Sequence, residues 1–250
     1  MNLVRGFSLI EMAVVLIVLV LLLGGALVPL STQVEQRKIA ETEKAIEEAK
    51  EALIGFALAN SRLPCPDNPP PSVPPDGVSD PTTGGNCSND FEGVLPWVTL
   101  KVAGADAWGR RFRYRVSPEF TDVPAPTCAT GDGKIGLCDS GVINVTTKDA
   151  TKTSQSLVTG AAAIVISHGK NGFSATTETN VALPNPPASN VDENANIAGP
   201  NYFSRTITPL ATPCSDAPLS ASAYCEFDDI LIWLSPNVLF NRMVAAQRLP

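Results

Sequence analysis

The sequence predicts an α+β protein: a long N-terminal α-helix packed on an antiparallel β-sheet head whose loops are tied by disulfides. Three observations carry this. An apolar tract and then a charged amphipathic stretch fill residues 7–60, strand-like apolar runs appear only beyond residue 90, and all six cysteines lie after position 60. With 250 residues, 44% of them hydrophobic, the chain can build one ordinary domain or two small ones beyond that helix. A formal net charge of -7 without a basic run makes nucleic acid a poor partner.

The first half of the helix reads as membrane-spanning. Met12 to Leu30 carries no charge, which as helix is roughly 28 Å, longer than the apolar core of a cleaved secretory signal. Glu11 is the anomaly, because a carboxylate at the centre of a membrane helix costs about 2.5 to 3.5 kcal/mol and asks for a functional reason. Residues 31–60 continue as an amphipathic helix. They are rich in Ala, Glu and Lys, lack proline, and repeat Ile39, Ile46, Ala49, Leu53 and Phe56 at helical spacings. Gly24, Gly25 and Pro29 should kink the apolar half.

The cysteines set the compartment. No two are spaced as C-x-x-C, so a zinc ribbon has little support, and an even number in an exported domain predicts three disulfides. Neighbour pairing would join Cys65 to Cys87, Cys128 to Cys138 and Cys214 to Cys225, although sequence alone leaves the connectivity open. Such bridges imply an oxidising environment.

Residues 61–250 form the head. The Pro- and Gly-rich segment 61–90 predicts an extended loop between Cys65 and Cys87. A short helix or turn should then bury Leu95, Trp97 and Leu100, and Asp106 with Gly109 should set a turn beside Trp108. Phe112, Tyr114 and Val116 alternate with Arg111, Arg113 and Arg115, the period of a half-buried strand. Further strands are predicted over 141–147, in the run 161–172 and over Ile230–Leu234, with Ser235 and Pro236 opening a helix over 237–247. His168 is the single histidine, yet Ser167 beside it points to the other side of an extended chain and no G-x-S-x-G is present, so no catalytic residue is assigned and no enzyme is expected.

The string Gly6-Phe7-Ser8-Leu9-Ile10-Glu11, preceded by Arg5 and followed by the apolar tract, resembles the processing site of type IV prepilins and type II secretion pseudopilins. The resemblance implies a pilin-like fold with a leader at 1–6, a filament-core helix at 7–30, an amphipathic helix at 31–60 and a head at 61–250. It also implies cleavage by a prepilin peptidase between Gly6 and Phe7, N-methylation of Phe7, and a Glu11 carboxylate that meets the Phe7 amine of its own or a neighbouring subunit. The implied partners are that peptidase, other filament subunits and an inner-membrane assembly platform. The implied location is the bacterial inner membrane, with a cytoplasmic N-terminus and a periplasmic head, and then the pilus or pseudopilus. An anchored periplasmic binding or adhesion protein with one span is the alternative. Ser167–Gly172 and Asp228–Trp233 resemble the calcium region of some pseudopilin heads, which makes Asp228, Asp229 and Asn171 candidate ligands. Lys170 and the asparagine at 171 lower the charge there, so a calcium-free head is preferred and no cofactor is expected.

Overall fold

The computed structural model describes residues 8–70, 73–81, 87, 90–121 and 135–249, with the side chains of 21–30 outside the description. The chain divides into two compact units, Met1–Ala40 and Glu41–Pro250. Helix α1 covers Leu9–Asn60. In the first unit it opens on a local device: the Ser8 hydroxyl accepts the Ile10 N–H at 3.3 Å, and Glu11 Oε2 accepts the Ser8 N–H at 2.8 Å. This S-x-x-E arrangement is a variant of the capping box, with the hydroxyl on the second helical N–H rather than the third, and it satisfies N–H groups that a helix start leaves without partners.

The second unit holds β1 (Glu92–Val94), α2 (Trp97–Leu100), β2 (Arg113–Val116), β3 (Ile143–Lys148), β4 (Ser154–Ala161), β5 (Ala163–Ser167), α3 (Val191–Asn194), β6 (Asn201–Phe203), β7 (Ile230–Leu234) and α4 (Pro236–Ala245). Strands β1-β2-β5-β7 form an antiparallel sheet. A separate sheet runs β4-β3-β6, in which β3 and β6 are parallel. One face of the first sheet, through Phe112, Tyr114, Val116 and Val165, packs on the α1 stripe of Ile46, Ala49, Leu53 and Ala57, with Leu239 and Met243 of α4 closing the core. Its other face, through Ile164 and Ile166, packs on Ile143, Val145 and Tyr202. Strand β5 is covered on both sides, which is why all five of its residues are buried and its sequence is a continuous apolar run rather than an alternating one. The Tyr114 hydroxyl donates to the Pro64 carbonyl at 3.1 Å and pins the start of the long loop to the sheet.

Two expectations are corrected here. Among the described residues no helix is long and apolar enough to cross a membrane. The part of the apolar tract whose side chains are described, Leu9 to Val20, amounts to about 18 Å of helix against about 30 Å of hydrocarbon, and it includes Glu11. The transmembrane half of the pilin-like fold and the location as a single-pass inner-membrane protein with a periplasmic head are therefore not supported. Nor is the head one antiparallel sheet: its strands divide between two, and the second contains a parallel pair. The disulfides Cys65–Cys87 and Cys214–Cys225 are formed, and none of the described cysteines is free. Cys128 of the remaining expected pair lies outside the described residues.

Leu53 is 1% exposed at the centre of the helix-to-sheet contact. Leu53→Ala should cost about 2 to 5 kcal/mol through lost burial and a cavity, while the exposed Glu48→Ala should stay within about 0.5 kcal/mol; urea denaturation of both variants measures the difference.

Candidate functional site

Gly6 and Phe7 lie outside the described residues. Glu11 is exposed, and its carboxylate accepts the Ser8 N–H as given above.

In the head, one buried polar cluster gathers the predicted calcium candidates. Glu193 from α3 and Asp228 and Asp229 from the approach to β7 are all buried, and one oxygen of each lies within 4.8 Å of the others. The hydrogen bonds explain how three acids share this space. Glu193 Oε1 accepts from Asn171 Nδ2 at 2.8 Å and from the Asp228 N–H at 3.1 Å, and Oε2 accepts from Asn190 Nδ2 at 2.7 Å. Asp228 Oδ2 accepts the Asn171 N–H at 2.7 Å. Asp229 Oδ2 accepts from Asn196 Nδ2 at 2.7 Å, and its Oδ1 faces His168 Nδ1 at 3.3 Å. Gly169, at φ +54°, is glycine by necessity, because a Cβ there would come within 2.2 Å of the Asp228 carbonyl oxygen and 2.7 Å of its carboxylate.

Burial acts on the charges. Desolvation, followed by the neighbouring Asp229 charge, raises the Glu193 pKa to about 8. Desolvation raises Asp228 to about 7, against the pull of the Asn171 N–H. The cluster consequently holds protons near neutral pH.

Whether calcium fits turns on which way the amides point. Asn171 Oδ1 accepts the Phe173 N–H, Asn190 Oδ1 the Glu193 N–H and Asn196 Oδ1 the Phe203 N–H. Each asparagine is thereby turned to present its NH2 to a carboxylate, whereas a calcium site needs oxygens turned inward. The buried Asp228 Oδ1 alone among the carboxylate oxygens of the three acids lacks a hydrogen-bond partner. The set fits carboxylates solvated by N–H groups and bound protons, and it does not fit calcium. The Asn171 carbonyl in particular is already engaged.

The hydrolase residues are separated by their partners. Ser167 Oγ donates to Asp106 Oδ2 at 2.6 Å, while His168 turns to Asp229. Asp106 also caps the predicted turn, accepting the Trp108 and Arg110 N–H groups through Oδ1. Of the three arginines on β2 and its approach, Arg113 and Arg115 share the single Glu92 carboxylate, at 2.9 and 2.8 Å. Glu193, Asn190 and Asn196 were not singled out by the sequence reading. Their only sequence signal is a run of acids and asparagines, Asn190 to Asn196, in a loop.

No family model matches the chain, and neither the curated proteins nor the solved structures include a significant match.

The raised acids give stability a definite pH dependence. A carboxyl whose folded pKa lies above its unfolded value binds more protons when folded, so its contribution is complete below about pH 4 and is lost as pH rises through about 7 to 8. Asp228→Asn keeps an oxygen for the Asn171 N–H and removes the charge. It should match the parent at about pH 3.5 and exceed it at pH 8.5 by about 1 kcal/mol or more, as read by denaturant midpoints across that range.

Proposed function

We propose that this chain is a non-enzymatic structural subunit, a pseudopilin or minor pilin, of a type IV filament system of the type II secretion kind, matured by a prepilin peptidase between Gly6 and Phe7. The observation that carries the reading is the surface of α1 from Leu9 to Val20. Aliphatic side chains are exposed around the whole helix, with Leu9 88%, Ile17 60% and Val20 68% exposed. A helix that is apolar all round is stable where other apolar groups enclose it, and each such side chain gains about 1.5 to 3 kcal/mol on full burial. Copies of the same helix, packed side by side, supply that enclosure. The Arg5-to-Glu11 string supports the processing step, and the separate engagement of Ser167 and His168 supports a non-enzymatic role.

Glu11 has two roles in this reading, and they are separable. As a capping residue it needs only an acceptor oxygen, which glutamine also provides. As the partner of a liberated Phe7 amine it needs a charge, and a charge pair of that kind sets the register between neighbouring helices. The mature protein should begin with N-methylated Phe7 by mass spectrometry of its N-terminal peptide; an intact Met1 contradicts the reading. Glu11→Gln should abolish filament assembly while leaving the helix start intact, and Ser8→Ala should loosen the cap yet still assemble, both scored by filament yield in electron micrographs. Filaments of ordinary yield from Glu11→Gln would remove the charge pair from the scheme.

A further inference from the structure

Two cavities meet along edge strand β1, where they share Gly93, Val94 and Thr176. The larger, about 370 Å³, is walled by Pro69, Pro70, Pro74 and Pro75 and has Asp67 in its lining. The smaller, about 200 Å³, is lined by Arg111, Arg113 and His168. Volumes at or below the low end of the roughly 300–1,000 Å³ typical of ligand sites suit a small molecule.

Each cavity has polar atoms that the fold leaves without a partner. Asp67 is 1% exposed, and its backbone pairs with Val94 in both directions at 3.0 Å. Its Oδ2 accepts the Gly77 N–H at 2.5 Å, while Oδ1 is buried with nothing bonded to it. Desolvation lifts this acid to about 6, so at neutral pH it is mostly an anion with an unfilled acceptor site. In the second cavity Arg113 is occupied by Glu92. Arg111 has no ion pair among the described residues: one Nη donates to the Glu178 carbonyl at 3.4 Å, its Nε is buried without a partner, and its guanidinium lies 4.1 Å over the Trp97 ring. His168 is 2% exposed, with Nδ1 held by Asp229 and Nε2 unpartnered. Trp97 links the two ends. It underlies Arg111 and packs so closely on Gly77, whose N–H holds Asp67, that a Cβ at Gly77 would lie 2.3 Å from the ring.

A carboxylate with one unfilled oxygen at one end and a guanidinium without a counter-ion at the other define a ligand by its charges. We propose that this groove binds a short zwitterion, an ω-amino acid or small peptide, with its ammonium at Asp67 and its carboxylate at Arg111 and His168. The prolines then contact the aliphatic stem. A ligand without an ammonium leaves the buried Asp67 oxygen unfilled, and one without a carboxylate leaves the half-buried Arg111 without a counter-ion, which is a basis for discrimination. The proposal stands apart from the filament reading, since neither end of the groove involves the first forty residues.

The test is a titration of the folded full-length chain with γ-aminobutyrate, δ-aminovalerate and ε-aminocaproate, against n-hexylamine and caproate as single-charge controls, followed by calorimetry or amide chemical shifts. At least one ω-amino acid should bind about tenfold or more tightly than both controls. Asp67→Asn keeps the oxygen that Gly77 needs and should erase the advantage over caproate; Arg111→Gln should erase the advantage over n-hexylamine. The proposal is overturned if no member of the series binds, if either control binds as tightly, or if the folded variants bind like the parent. The ligand series on the unmodified chain decides the matter even if a variant does not fold.

Discussion

A helix that presents aliphatic side chains on every side has to be enclosed, and among the described residues the stretch from Leu9 to Val20 stays exposed. All other features of the N-terminal region make sense around that constraint. The helix satisfies its own backbone, so apart from Glu11 the described flanks from Leu9 to Val20 offer apolar surface. Its start is fixed by Ser8 and Glu11, which supply the capping oxygens, so the end does not fray even without a partner. What is described of the apolar tract is too short to traverse a bilayer, and the proposed packing among like helices would cover the same surface without requiring a span.

The head follows a different economy. Its first sheet is sandwiched between α1 and α4 on one face and β3, β4 and β6 on the other, and that is where its hydrophobic free energy lies. The irregular chain between β5 and β7 has no comparable apolar core and is pinned instead by buried polar groups. Glu193, Asp228 and Asp229 are one pin. The other joins Lys148 and Arg205 to Asp192, with Arg205 also reaching Asp216 at 3.5 Å and stacking 4.7 Å from the rings of both Tyr224 and Phe227. Buried ions of this kind gain little net stability, but removal of one partner strands the other, so they define one arrangement of a loop that hydrophobic contacts would leave loose. The Cys214–Cys225 bridge lies beside this second pin, where the Cys225 N–H donates to Asp216 at 3.0 Å.

Elements whose burial follows a simple period were legible in the sequence. Strand β2 shows through the alternation of Phe112, Tyr114 and Val116 with arginines, and β5 and β7 show through apolar runs. Strand β4, Ser154–Ala161, was missed because most of it is exposed and polar, and β6 is three residues recruited by parallel pairing with β3. The cap is legible as Ser8-x-x-Glu11, a pattern that also sits where an acid in an apolar tract stands out by its cost. In the cluster, Asp228, Asp229 and Asn171 could be singled out. Glu193 could not, since only tertiary contact brings its loop to β7, and the backbone N–H groups that turn each asparagine have no sequence signature. Asp67 was equally hidden, because an unpaired oxygen is a property of the closed fold.

The central claim is that copies of this chain cover one another's Leu9–Val20 surface. Its most direct measurement is photo-crosslinking from a probe amino acid at Val14 or Val18 in purified assemblies, with the linked peptides read by mass spectrometry. The account predicts subunit-to-subunit links that begin and end within residues 9–20. Links confined to lipid or to unrelated proteins, with no copy-to-copy product, would contradict it.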